Sequence, residues 1–388
     1  MKPKAVLVVY HRDIYQTYFL TGLINTFIEI FDLSIIYEES LKDLVVNFMQ
    51  RKNIKCLPYK KDYLLSSVFL GCSLSKTKQK SSLCRSFALR LRRIHPSFLY
   101  LRSYGIYQTL RTLIKDIFMI LISSYFSKKN FRKLTSRIKN SSPIKNIQLL
   151  NPKYVFVPCQ AVSYEIFYTS LAREKSMLNI SDICLIDNWD NLSSKSIFLK
   201  KPNFIGVYGE QAKNHCDRIQ GLKEESIFKW GSPRYDLYLK NLNKENNLSS
   251  LNQYILYAGT SIYYDEFEDI KKIANSLKKS IDIKYFPHPY RTISGQFRRK
   301  VSKQVFTKNN IEEINRNGDR DLNQIVDLIR DSKFIICGPT SIILEALICE
   351  KKVLISSRSD LDSYQATSEI FFGYEHFDGI ELNPLVKV

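Results

Sequence analysis

The chain has 388 residues, 44% of them hydrophobic, with 24 Tyr and 23 Phe, which excludes a disordered protein and supplies apolar material for a large core. That length exceeds the size at which one core stops growing, so two domains are expected. The formal net charge of +20 is concentrated: residues 51–139 hold 21 Lys and Arg against only Asp62 and Asp116, so this stretch carries +19 and the rest is nearly neutral.

Lys4 to Tyr10 is an unbroken apolar run of the kind that forms a strand buried on both faces, Tyr15 to Phe31 has helical periodicity, and Leu33 to Tyr37 is a second strand. This is how a doubly wound parallel sheet begins. Met1-Lys2-Pro3-Lys4 leads straight into the first strand, which is too short for a signal peptide, so a cytoplasmic location is expected. His11 and Asp13 follow the first strand and form one candidate catalytic pair; a polar turn is the other reading.

A basic helical insertion at about 73–142 interrupts the alternation. Phe87, Leu91, Ile94, Phe98 and Leu101 recur at helical spacing among Arg85, Arg90, Arg92, Arg93 and Arg102. The apolar run from Ile117 to Ile122 is too short to span a bilayer and is flanked by Arg111, Lys115, Lys128 and Lys129. A basic amphipathic helix fits it, lying on an anionic membrane surface or packed on the domain; nucleic acid is the least favoured partner.

The alternation resumes with strand Tyr154 to Val157, helix Ala161 to Glu174, strands Ile183 to Ile186 and Phe204 to Tyr208, helix Gln211 to Ile219 and strand Ile227 to Trp230. Lys240 to Ser250 lacks periodicity and is rich in turn formers, a linker. Beyond it come strand Tyr254 to Tyr257, helix Phe267 to Lys278, strand Ile281 to Phe286, helix Leu322 to Arg330, strand Phe334 to Cys337, helix Ser341 to Cys349 and strand Val353 to Ile355. The fold class is therefore α/β: two Rossmann-like domains, 1–240 and 252–388, facing across a cleft where a ligand is held.

Two strand ends of the second domain carry anion-binding chemistry. His288-Pro289 closes one strand, with Arg291 within reach of an anion, and Gly338-Pro339-Thr340-Ser341 opens the helix after another. Free N–H groups and the positive dipole end of a helix attract phosphate. Taken separately, a His-Pro turn or a Thr-Ser cap is common; both at strand ends of one βαβ series indicate a nucleotide site. In the first domain, Asp187-Asn188-Trp189-Asp190-Asn191 follows an apolar strand and places two acids and a Trp at its end. Trp189 either offers a sugar a flat face or packs.

These stretches, with Lys195, Val207-Tyr208-Gly209-Glu210-Gln211 and Gly231-Ser232-Pro233-Arg234-Tyr235-Asp236, resemble bacterial surface-carbohydrate biosynthesis proteins of the GT-B glycosyltransferase type. That group overlaps in motif with His-Pro-containing sialyl and Kdo transferases and with CDP-glycerol glycerophosphotransferases. The resemblance spans residues 187–346. It implies that His288 contacts the donor phosphate or ribose, that Thr340 and Ser341 hold the phosphate, and that Glu345 holds a ribose hydroxyl, unless Glu345 is a solvent-facing helix residue. Gly-Pro-Thr-Ser stands where the glycerophosphotransferases have Asp-Tyr-Ser-Ser, which favours a sugar donor. The acidic triplet of sialyltransferases is absent, although Asp265-Glu266 stands in a similar loop.

The expected function is transfer of a sugar from a CMP- or UDP-activated donor to a surface polysaccharide or lipid-linked glycan, at the cytoplasmic face of the inner membrane. Asp187 or Asp190, with His11 and Asp13 as the other pair, would act on the acceptor hydroxyl, and Trp189, Asn191 and Lys195 would bind the acceptor. No cofactor beyond the nucleotide-sugar substrate and no metal is expected, because a helix N-terminus, His288 and Arg291 can hold the phosphate. Eight scattered cysteines without a C-x-x-C pair point away from zinc and from structural disulfides. A glycerophosphotransferase, a UDP-sugar 2-epimerase and a non-catalytic membrane- or nucleic-acid-binding scaffold are the alternatives.

Overall fold

The structure, a computed structural model, describes residues 1–50, 52–62, 66, 69, 106, 110, 114, 117, 141–159, 164–175, 179–195, 197–242, 254–260, 266–277, 281–288, 311–314, 322–358 and 367–388. The expected amphipathic helix at 87–101, Pro289, Arg291 and most of the linker lie outside the described residues.

The described chain divides into two compact units, the first closing at Arg234. In the first, β1 (Lys4–Val9), α1 (Arg12–Tyr15), α2 (Leu23–Ile30), β2 (Asp32–Glu38), α3 (Lys42–Gln50) and β3 (Lys55–Tyr59) precede the basic segment. After it come α4 (Ser142–Leu150), β4 (Tyr154–Cys159), α5 (Tyr164–Lys175), β5 (Ser181–Ile186), β6 (Phe204–Val207), α6 (Glu210–Arg218) and β7 (Ile227–Lys229), and α7 (Pro233–Leu242) starts here and passes into the second unit at Tyr235. The second unit holds β8 (Tyr254–Ala258), α8 (Glu266–Ser276), β9 (Ile283–Phe286), β10 (Ile311–Glu313), α9 (Leu322–Asp331), β11 (Ser332–Cys337), α10 (Ile342–Ile348), β12 (Val353–Ile355), α11 (Thr367–Phe371) and β13 (Val386–Lys387).

Every described strand pairing is parallel. The first sheet runs β3-β2-β1-β4-β5-β6-β7 and the second β10-β9-β8-β11-β12-β13. Each is therefore the Rossmann-like α/β domain expected from the alternation. The continuous apolar runs have their cause here: Val6, Leu7, Val8 and Val9 of β1 and Ile255, Leu256 and Tyr257 of β8 have no solvent exposure, as strands covered on both faces require. Each such side chain contributes about 1.5–3 kcal/mol of burial free energy.

Three expectations need correction. The helix expected over Tyr15–Phe31 is broken: α1 passes into a π-helical turn, Gln16–Leu20, and the chain reverses at Gly22, whose φ of +84° suits glycine, before α2 begins. The start of the expected linker is helical, because α7 runs to Leu242. Strands β3 and β10 lie at sheet edges, and neither was expected; Pro58 in β3 is a residue that a central strand would not accept.

Candidate functional site

Ligands of open parallel sheets bind outside the carboxyl ends of the strands, where the strand order reverses. The chain reverses between β1 and β4 in the first sheet and between β8 and β11 in the second. The residues that follow these strands are therefore the ones whose chemistry matters.

Asp187 is the first residue past β5 and is 2% exposed. Its Oδ1 accepts a hydrogen bond from the Tyr18 hydroxyl at 3.1 Å, whereas its Oδ2 has no partner among the described residues. Burial, which penalises the charged form, raises its pKa to about 8; the Tyr18 hydrogen bond and the charge of Arg234 oppose the rise, and the charge of Asp13 adds to it. Burial and the neighbouring Asp187 push the Tyr18 phenol well up, so it stays a donor. Tyr18 rides on the π-helical turn after α1 and stacks on Trp230, with ring centroids 6.3 Å apart. Its position fits the recurrence of such turns at functional sites, and a second one, Asn191–Lys195, follows Asp187.

The link between the two candidate clusters of the first domain is electrostatic: the charge of Asp13 is the smallest of the four influences on Asp187. The Asp13 backbone N–H donates to His11 Nδ1 at 3.3 Å, which requires that nitrogen to be unprotonated. The 3.5 Å approach of the Asp13 carboxylate to the same atom is therefore not an ion pair in this tautomer. Asp190 is half-buried, and its carbonyl accepts from the Ser194 backbone and hydroxyl. Trp189 is buried and donates its indole N–H to Gln211 at 3.0 Å, an arrangement that fits packing. Asn191 is fully buried and ties its side-chain amide to the Cys159 carbonyl, joining the ends of β4 and β5. Lys195 ends the second π turn. Arg234, buried beside Asp187, was not singled out as a site residue; the signal was the Gly231-Ser232-Pro233-Arg234 turn after β7, where Gly231 takes φ +85°.

In the second domain, His288 follows β9 and is partly exposed, as are Thr340 and Ser341 before α10, while Gly338 is buried. Ser341 is the N-cap residue of α10, and its side chain makes no capping bond. Glu345 is 3% exposed, which overturns the solvent-facing reading of it. The turn after β8 escaped the sequence reading. A Cβ on Gly259 would meet the His288 backbone nitrogen at 2.8 Å and Pro287 Cα at 3.2 Å. Only glycine allows the ends of β8 and β9 to approach this closely. Buried Glu266 fixes the turn, accepting from the Thr260 N–H at 2.7 Å and the Tyr285 hydroxyl at 2.8 Å.

Among the described residues no group of three His, Cys, Asp or Glu is placed to hold a metal, and no helix is long and apolar enough to cross a membrane. The described cysteines are free and, Cys56 apart, buried; burial pushes the Cys216 thiol up to about 12.

No protein-family model and no curated protein matches the chain. Solved structures do. A Staphylococcus aureus protein, MnaA, solved with UDP, aligns at 13% identity over 100% of this chain and 84% of its own, with a TM-score of 0.50. UDP-GlcNAc 2-epimerase from Neisseria meningitidis, bound to UDP-GlcNAc, aligns at 12% identity over 91% of this chain and 82% of its own, with a TM-score of 0.49. A glycosyltransferase from Rickettsia africae aligns at 12% identity over 91% and 79%, with a TM-score of 0.44. At such identities the likeness is one of fold: two Rossmann-like domains in one chain, the make-up of GT-B proteins.

Proposed function

We propose that this protein is an enzyme acting on a nucleotide-activated sugar, and within that class a metal-independent glycosyltransferase whose donor is a CMP- or UDP-sugar. The observation that carries the proposal is Asp187, a buried carboxyl at the carboxyl edge of the first sheet, with one oxygen committed to Tyr18 and a pKa of about 8. A general base works best when its pKa lies near the working pH, and a carboxyl so perturbed at a sheet mouth is a candidate for that role. In the transfer step Asp187 takes the proton of the acceptor hydroxyl. The acceptor oxygen bonds to the anomeric carbon, and the bond from that carbon to the donor's phosphate oxygen breaks, its electron pair leaving on the nucleotide. His288, Thr340, Ser341 and Glu345, with the Gly259-Thr260 turn, hold the nucleotide. The basic segment, with its +19 charge, rests on an anionic membrane surface, which suits a lipid-linked acceptor.

A UDP-sugar 2-epimerase is the second reading; the fold likeness to MnaA, which was solved with UDP, supports a UDP-sugar substrate under either reading. Incubation with CMP-, CDP-, UDP-, GDP- and dTDP-sugars tests the class. A donor at a hundred times its dissociation constant adds about 2.7 kcal/mol to stability, and His288→Ala and Ser341→Ala should weaken that effect without unfolding the chain. Asp187→Asn should keep donor binding and lower turnover at least about a hundredfold. Turnover that needs no second substrate selects the epimerase; unchanged turnover in Asp187→Asn removes Asp187 from the chemistry.

A further inference from the structure

A second buried carboxylate stands at the same edge of the first sheet. Glu165, in the first turn of α5 after β4, has no solvent exposure. Its Oε1 accepts from the Tyr59 hydroxyl at 3.2 Å and lies 3.2 Å from Lys61 Nζ, while its Oε2 is buried with no hydrogen-bond partner among the described residues. Tyr59 ends β3, and Lys61 two residues later is held from two sides, by Glu165 and by the face of the Tyr10 ring 5.7 Å away. Tyr10 follows β1, so the group brackets the point where the strand order reverses. Glu165 follows β4 and Asp187 follows the neighbouring β5, whose end is tied to that of β4 by the Asp187 N–H donating to the Cys159 carbonyl at 3.2 Å, so the Glu165 and Asp187 groups adjoin.

A buried carboxylate oxygen without a donor costs free energy that folding alone gives no reason to retain. A single ligand hydroxyl satisfies both sides of this arrangement: it donates to Glu165 Oε2 and accepts from the partly exposed Lys61 ammonium. The Tyr10 ring, buried in the core, holds the Lys61 ammonium in place over its face. We infer that Glu165 and Lys61, the latter positioned by Tyr10, form a sugar-hydroxyl site, the place where the acceptor glycan is bound beside Asp187. This inference rests on the glycosyltransferase reading.

The test uses the full chain and, as probes, the methyl glycosides of glucose, galactose, mannose and N-acetylglucosamine, followed by saturation-transfer NMR. At least one should bind saturably, and Glu165→Gln, which keeps the shape but replaces an acceptor oxygen with a donor, should weaken it at least tenfold. Nucleotide affinity serves as the control and should stay within twofold, while the thermal midpoint should fall because the substitution also breaks the buried Glu165–Lys61 pair. The inference is overturned if no glycoside binds the native protein or if Glu165→Gln binds it as tightly as the native chain does. Should Glu165→Gln fail to fold, Lys61→Met at its half-buried position decides by the same tenfold criterion. A failure here with nucleotide binding intact removes the acceptor site alone, whereas the transferase reading fails on the Asp187→Asn turnover.

Discussion

Strand β5 carries a buried aspartate at each end, and the pair shows what separates a carboxylate that serves folding from one that does not. Asp182, at the amino end, is 1% exposed and receives the Ser170 hydroxyl at 2.6 Å, the Arg173 guanidinium and the Asn203 N–H at 3.1 Å. Asp187, at the carboxyl end, has one hydroxyl for two oxygens. Asp182→Asn breaks a buried ion pair and should cost about 3–5 kcal/mol at neutral pH. Asp187→Asn should behave in the opposite sense as pH rises. Its folded pKa of about 8 lies above the ordinary 3.8, so between these values the folded chain holds a proton that the unfolded chain has released. Its stabilising contribution is complete below pH 3.8 and declines by about 1.4 kcal/mol per pH unit until it is gone above pH 8. Denaturant midpoints at pH 5 and pH 8 should therefore move less in Asp187→Asn than in the native chain; an equal shift would mean that the carboxyl is ionised and solvated.

At the scale of elements, the turn after β8 is the sharpest constraint on the nucleotide side. In Gly259→Ala the new methyl meets backbone at 2.8 Å and 3.2 Å, neither of which is a flexible side-chain end. The variant should lose about 1–3 kcal/mol and, because the atom displaced belongs to His288, should lose donor affinity as well; a destabilised variant with native affinity would detach this turn from the donor site. This contact shows why the sequence was legible only in part. The buried strands announced themselves, since β1, β5, β8 and β11 are apolar runs between polar turns, and their order gave the domain plan. The His288 and Gly338–Ser341 signals lie at strand ends that the sequence locates. Tyr18, Arg234, Thr260 and Glu266 were not legible as a site, because what joins them to Asp187 and His288 is strand order: β1 and β7 bring Tyr18 and Arg234 to the end of β5 from about 170 and 50 residues away. The π-helical turn hid Tyr18 further, because the periodicity over Tyr15–Phe31 reads as one continuous helix.

For the molecule as a whole, the distribution of charge is the feature that neither domain explains. A fold needs no net charge of +19 within residues 51–139, and such a field acts at a distance on an anionic partner. Ile106, Leu110, Ile114 and Ile117, four helical positions within that stretch, recur every three or four residues and are all exposed, Ile106 to 71%. Exposed apolar residues amid Lys and Arg are what an anionic lipid surface takes up, the apolar groups entering the boundary between headgroups and chains while the cations meet phosphate. Vesicle flotation should therefore show binding that rises with the fraction of anionic lipid and falls as salt screens it. Each engaged Lys or Arg contributes about 1 kcal/mol, so a single Lys→Gln change in the segment should weaken binding about fivefold. Replacing the four isoleucine and leucine residues with Ser should lower binding at high salt as well as at low, because their contribution is not electrostatic. Equal binding to neutral and anionic vesicles would reject the charge account, and retention on nucleic acid without any on vesicles would assign the segment to a different partner.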